Sequence, residues 1–359
     1  VTASPPDIQT LCDDLRAKSG ELETADAWPG QQFDLLAKAG VLGWVIPPEY
    51  GGNKVDLREL TIGYERLSAA CLTTAFVLTQ RNGACQRIAG CENEALKSEL
   101  LPDLCAGKTF ATVGISHLTT SRQHLRTPAI QVEQQGSRLK FDGTIPWVTG
   151  ARHADYILTG GTFADGRQVL AVIPTAAANV SILPPPRMLA LNASQTGAVK
   201  LDGVEIDERF LIAGPAEAVM KLGVGGGTGS LSTSALALGT AAGALELLRE
   251  EAERRPDLQE VFESIAAERD DAAAAMLELS RGGTINTPPP HSAEEIRRRS
   301  NSIVLRATQA YLAASKGAGF VAGHPAERLV REAMFFLVWS CPQPVLAANL
   351  REFACLVET

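Results

Sequence analysis

Three stretches of unlike texture predict an α+β chain in which helices come first, a small antiparallel β unit follows and a helical bundle closes. Residues 7–105 show helical periodicity broken by short loops. Residues 109–212 show short runs rich in Val, Ile, Leu and Thr, separated by turn signals about 8–12 residues apart. Residues after 216 return to long Ala- and Leu-rich periodic segments. Domains are therefore expected at 1–108, 109–213 and 214–359, the last a four-helix-type bundle.

In the first region Asp7 to Lys18 and Gln31 to Ala39 read as helices, with Gly40 as the residue that ends the second. Leu57 to Ala70, Thr73 to Ile88 and Asn93 to Leu104 follow the same pattern, and Pro102 predicts a bend in the last. In the second region Gln135-Gly136-Ser137, Asp142-Gly143 and Ala164-Asp165-Gly166 are turns. Between and beyond them Arg138 to Phe141, Tyr156 to Thr159, Val169 to Ile173 and Ala198 to Leu201 read as strands of an antiparallel barrel or sandwich. Pro184-Pro185-Pro186 predicts an exposed connection. In the third region Leu231, Ala235, Leu238, Ala242, Leu245 and Leu248 step by three or four and mark one buried helix face. Leu258 to Arg281 and Glu294 to Ala318 are further long helices, separated by a Pro-rich loop over 282–292, and shorter ones follow Pro325 and Pro344. Arg297-Arg298-Arg299 is expected to be a solvated face.

The chain has 359 residues, 45% of them hydrophobic and 21% charged, an ordinary globular balance with enough apolar residues for a sizeable core. A net charge of −8 argues against a broad nucleic-acid interface, which needs a basic surface. No apolar run reaches the roughly 18–20 residues that span a bilayer, because Gly225-Gly226-Gly227 and several hydroxyl residues interrupt Leu222 to Leu248. Residues 1–14 lack the basic and apolar parts of a signal peptide. Seven scattered cysteines without paired spacing predict reduced thiols and a cytoplasmic protein, and the five histidines are not at metal-ligand spacing.

Five segments carry a resemblance. These are Gly40 to Gly52 (GVLGWVIPPEYGG), Glu99 to Lys108 (ELLPDLCAGK), Phe141 to Tyr156 (FDGTIPWVTGARHADY), Asp202 to Gly214 (DGVEIDERFLIAG) and His324 to Ala333 (HPAERLVREA). In this order they resemble the signatures of the acyl-CoA dehydrogenase family across nearly the whole chain. The resemblance implies the family's helical domain, β-barrel domain and helical bundle, and an FAD cofactor between the last two. It implies that Trp147 packs against the isoalloxazine and that Thr149 bonds near its N5 edge. It places Ser121 near the cofactor pyrophosphate, although the family's T-E-P-x-x-G-S-D is here Ile115 to Arg122. Gly317 belongs to a degenerate Q-x-x-G-G-x-G element, and the R-x-x-F-G element shrinks to Arg254 to Gln259. It further implies an acyl-CoA or acyl-carrier thioester as substrate and a homodimer or homotetramer.

The resemblance fails at one place. The family abstracts a proton from the acyl Cα with a glutamate that follows the R-D-A segment. Counted from Arg331-Glu332-Ala333, that position is Ser340, and the residues around it are Trp339, Cys341 and Pro342. A second subgroup carries its glutamate on the first long helix of the bundle, where residues 228–237 contain no acid. A serine hydroxyl is a poor base unless a neighbour activates it. The expected function is thus an FAD-dependent oxidoreductase acting on an acyl thioester with a non-standard base. A flavin monooxygenase, a desulfinase-like relative or a non-catalytic binding protein are the alternatives. Cys341, beside the missing base, and His117, in the altered flavin loop, are candidate substitutes, and Glu332 is expected to be structural.

Overall fold

The computed structural model describes residues 7–24, 26–119, 127–222, 231–281 and 291–356. The N-terminal helices are α1 (Ile8–Lys18), α2 (Gly30–Lys38), α3 (Leu57–Ala70), α4 (Leu72–Ala89) and α5 (Glu94–Cys105). Gly40 adopts φ 72°, a left-handed turn after α2 that favours glycine. A capping box starts α3, with the Asp56 carboxylate accepting from Glu59 N–H and the Glu59 carboxylate from Asp56 N–H. Helix α4 is buried almost all round, which explains why its apolar residues show no single stripe. Pro102 lies inside α5.

The sheet comprises β1 (Ala111–Gly114), β2 (Ile130–Gln135), β3 (Arg138–Val148), β4 (Tyr156–Thr162), β5 (Gln168–Pro174), β6 (Val180–Ile182), β7 (Gly197–Asp207) and β8 (Leu211–Ala216), with the one-turn helix α6 (Ser116–Thr119) after β1. The strand order is β6-β7-β3-β2-β4-β5-β8, with β1 on β4. Most neighbours are antiparallel, as expected. Two pairings correct that expectation: β4 runs parallel to β1 and, at one residue pair, to β2. The β1–β4 pairing is not announced by a hairpin turn, because parallel neighbours are joined by crossovers. Among the described residues the order also ends at β6 and β8 instead of closing into a barrel.

The C-terminal helices are α7 (Leu231–Arg254), α8 (Gln259–Ser280), α9 (Ala293–Ala314), α10 (Pro325–Ala333) and α11 (Gln343–Phe353). Helices α7, α8 and α9 pack on one another, and α10 and α11 pack on α9. The expected loop over 282–292 falls mostly outside the described residues. By length and composition α7 could cross a bilayer, but 72% of its most apolar window is buried inside the protein.

Helix α7 also meets α3 of the N-terminal unit at close range. The Ser68 hydroxyl donates to the Leu236 carbonyl at 2.7 Å and lies 2.9 Å from the Thr240 hydroxyl. A Cβ on Gly239 would overlap the Glu65 carbonyl oxygen, and one on Gly243 would stand 2.5 Å from that of Ala69. The two glycines are one helical turn apart and let the backbones touch. One continuous hydrophobic core runs through all three regions.

Candidate functional site

A cavity of about 840 Å3 opens where α3, α4, the sheet, the first turn of α7 and the chain after α10 converge. Its sheet wall is carried by the end of β3. The β3–β7 register shifts between Ile145 and Val148, around Pro146, which has no N–H for the ladder. Such irregularities re-aim side chains. Here Ile145 and Val148 stay in the core while the Trp147 indole faces the cavity, 48% exposed. Thr149 follows, buried, its hydroxyl 3.0 Å from that of Thr196, which lies 2.7 Å from that of Ser194. Ser116 belongs to the same wall, and its buried hydroxyl has no partner.

The second wall is one face of α4. Phe76, Thr79, Gln80, Gly83, Gln86 and Arg87 recur at helical spacing and all line the cavity. Polarity rises along this stripe from an aromatic ring to a guanidinium, and burial lowers the Arg87 pKa.

The third wall is the segment 334–340. Trp339 stacks on Phe335 with centroids 5.2 Å apart and planes 11° from parallel. Phe76 meets both edge-on, at 4.8 and 5.0 Å. Ser340 ends this wall in the left-handed region, φ 46°, which a residue with a Cβ adopts at a cost of about 1 kcal/mol. The segment is clamped from behind. Arg297 Nη2 donates to the carbonyls of Phe336 and Trp339, both at 3.0 Å, and Asn301 Nδ2 donates to that of Phe336 at 3.2 Å. This corrects the expected solvated arginine run: Arg297 is fully buried on α9. Successive helical residues point about 100° apart, so three consecutive arginines cannot share one face. Arg297 falls on the side shared with Ile296, Ser300 and Val304, while Arg299 reaches out to Asp271 at 2.6 Å. Burial pushes the Arg297 pKa down to about 10.

The electrostatics of the lining are one-sided. Among the described lining residues there is no Asp, Glu, His or Cys. Arg331 is there, held by Glu327 at 2.7 Å and Glu23 at 2.6 Å, and those bonds raise its pKa. Glu332 is buried and does not line the cavity, and desolvation pushes its pKa up to about 7.

Of the residues singled out in the sequence, Trp147, Thr149 and Ser340 line this one cavity. Ser121 lies outside the described residues. Gly317 sits in an exposed turn over 316–320, away from the cavity wall. His117 is buried with Nε2 2.9 Å from the Gly160 carbonyl and does not line the cavity. Cys341 is half-buried, and burial raises its pKa, against thiolate character. Sequence reasoning did not find Tyr64, the α4 stripe or the Arg297 clamp. The one available signal was the cluster of Gln80, Arg81, Asn82, Gln86 and Arg87 inside an otherwise buried helix.

Residues 9–108 match the family model described as acyl-CoA dehydrogenase, N-terminal domain. A probable acyl-CoA dehydrogenase of Bacillus subtilis is 22% identical over 323 residues, covering 85% of this chain and 84% of its own. The chain is similar to acyl-CoA dehydrogenases over most of its length. A 3-sulfinopropanoyl-CoA desulfinase of Paraburkholderia xenovorans is 19% identical over 349 residues, covering 89% of this chain and 86% of that one. A glutaryl-coenzyme A dehydrogenase, solved as its glutaryl-CoA complex, superposes with a TM-score of 0.82 at 18% identity, over 97% of this chain and 95% of that one. The acyl-CoA dehydrogenase fold is thereby shared from end to end, including the sheet that carries Trp147.

Proposed function

We propose that this chain is an FAD-dependent oxidoreductase acting on an acyl thioester of CoA or of a carrier protein, in which no carboxylate stands at the acyl Cα. The observation that carries this reading is the single cavity that joins Trp147 and Thr149 to Ser340 with no described acidic residue on its wall. The residues fit a flavin ring. An uncovered indole offers a flat apolar face, the unpartnered Ser116 hydroxyl offers a hydrogen bond, and Thr149, its hydroxyl bonded to that of Thr196, lines the same space. When bound there, the flavin would supply a hydride acceptor.

The chain's own contribution begins with the thioester. The Ser340 N–H donates to no backbone carbonyl among the described residues and stands at the cavity wall, where it can donate to the thioester carbonyl. That contact polarises the acyl group and raises the acidity of Cα–H. The aromatic wall of Phe76, Phe335 and Trp339 excludes water beside it. No described group on the wall can activate the Ser340 hydroxyl, so the proton is taken by the substrate or by a group outside the described wall. The same carboxylate-free wall supports a second reading, elimination from the acyl chain without net oxidation, in line with the relative named a desulfinase. A cytoplasmic homodimer or homotetramer belongs to this proposal. The uncovered Phe320, Val321, Leu350 and Phe353 near Gly317 and on α11 support it, and sedimentation velocity checks it.

The test is the visible spectrum of the purified protein, recorded before and after anaerobic addition of acyl-CoAs. Flavin bands that bleach establish the oxidoreductase. Bands that persist while product forms establish elimination. A colourless protein that takes up no added FAD sinks both. In the first case Ser340→Glu is expected to raise the bleaching rate by at least ten-fold, since a positioned base contributes on the order of 10²–10⁴-fold.

A further inference from the structure

We propose that the floor of the cavity is a hydrogen-bond-donating seat centred on the Tyr64 hydroxyl, which selects acyl groups bearing an oxygen acceptor at their far end over plain alkyl chains. This rests on the reading of the cavity as an acyl-thioester site.

The cavity has a mouth and a floor. At the mouth Val338 and Leu189 are 76% and 65% exposed, beside Ser340 and Trp147. Tyr64, from α3, also lines the cavity but is 2% exposed. Its depth is fixed by α4. Phe76 touches Trp339, next to Ser340, whereas the Tyr64 hydroxyl is held by Asn82, six residues further along the same helix. At the α-helical rise that is about 9 Å, the span of a short acyl chain.

The orientation of the Tyr64 proton follows from a buried relay. Arg81 is 1% exposed and donates from Nη1 to the Leu42 carbonyl at 3.0 Å, and from Nη2 to that of Leu104. The same Nη1 donates to Asn82 Oδ1 at 3.0 Å. The Asn82 oxygen is therefore turned to the arginine and its Nδ2 to the phenol, where it donates to the Tyr64 oxygen at 2.9 Å. A phenol has one proton of its own. With its oxygen receiving the amide, that proton points elsewhere, and no acceptor among the described residues receives it. The nearby Thr79 hydroxyl is already engaged. The Thr79 hydroxyl donates to the Phe76 carbonyl at 2.6 Å and receives Gln80 Nε2 at 3.1 Å. No described carboxylate lines the cavity to take the proton. Arg81, bonded to carbonyls and an amide and to no carboxylate, lies behind the relay and favours electron-rich groups in front of it. The floor thus lacks one partner, a hydrogen-bond acceptor, and an acyl tail ending in a hydroxyl, oxo or carboxylate oxygen supplies it.

Calorimetric titration of the full chain with butanoyl-CoA, 4-hydroxybutanoyl-CoA and succinyl-CoA tests this. These probes share a four-carbon acyl chain and differ at its far end. The wild type is expected to bind both oxygen-bearing thioesters about ten-fold more tightly than butanoyl-CoA, the usual scale for one satisfied buried donor. Tyr64→Phe is expected to bring all three within about two-fold of one another. Equal binding of all three by the wild type overturns the inference without any need of the variant. A gain confined to succinyl-CoA also overturns it, because it assigns the effect to the wall arginines. Binding of none of the three brings down the acyl-thioester reading itself, and this inference with it, whereas binding without discrimination brings down only the inference.

Discussion

The α3–α7 contact and the 334–340 wall are both places where distant parts of the chain meet, and they are held by opposite means. At α3–α7 the backbones touch through Gly239, Gly243, Ser68 and Ala69, and the contact is buried and short-range. At 334–340 the chain is held at a distance, by a buried cation and an amide reaching from α9 to two carbonyls, and it ends in a left-handed serine. The first arrangement tolerates no added atom. The second tolerates change of side chain provided the carbonyls keep a donor. Close packing holds the fold, and polar clamps set the shape of the site.

The comparison breaks most readily at its tight end. Gly239→Ala places a methyl group against the Glu65 carbonyl and is expected to cost about 3 kcal/mol, read as a fall in the urea midpoint. The folded fraction should keep its wild-type near-UV spectrum, because the wall is untouched. A change below about 1 kcal/mol would show that α3 and α7 can slide apart.

Glu332 adds a pH axis. Its pKa is raised by desolvation to about 7 in the folded protein, above the ordinary carboxyl value near 4.5. The folded state therefore holds the proton more tightly, and its contribution is complete below pH 4.5 and lost as pH rises through 7. Glu332→Gln should be level with wild type at pH 4 and more stable by about 3 kcal/mol at pH 8.5, measured by denaturant titration at both values. Parallel curves would mean that Arg328 and Arg331 already hold the carboxylate charged.

The clamp should give a smaller loss with a distinct signature. Arg297→Met leaves the Trp339 carbonyl without its donor and is expected to cost about 2 kcal/mol. It should also alter the near-UV signal of the Phe335–Trp339 stack, which Gly239→Ala does not. The smallest effect is expected at Ser340→Gly. Relief of the left-handed strain, offset by the flexibility of the unfolded glycine, should gain about 0.5 kcal/mol. Unchanged acyl-CoA affinity in that variant would assign ligand binding at this position to the backbone, and a loss would assign it to the hydroxyl.

The same contrast explains what could be read from the sequence. The α7 face, the start of α10 at Pro325 and the capping of α3 are local, and short-range periodicity and cap residues encode them. That Trp147 and Thr149 lie together on one wall was legible because their motif sits on a strand end whose neighbours in sequence are also its neighbours in space. Arg297 was misread because the side it faces is decided by a segment 39 residues away, whose carbonyls carry no sequence signature. The parallel β1–β4 pairing and the place of Tyr64 depend likewise on long-range partners.

The Ser68–Leu236 bond spans 168 residues of chain, and the glycine seam around it ties the first helical unit to the last. Dissection of this protein should respect that seam. An N-terminal fragment ending before α7 would carry a bare furrow along α3, with the Ser68 hydroxyl robbed of its acceptor. A recombinant piece of that kind is expected to clump or be degraded, whereas α3 and α7 co-expressed on separate polypeptides retain the means to find each other.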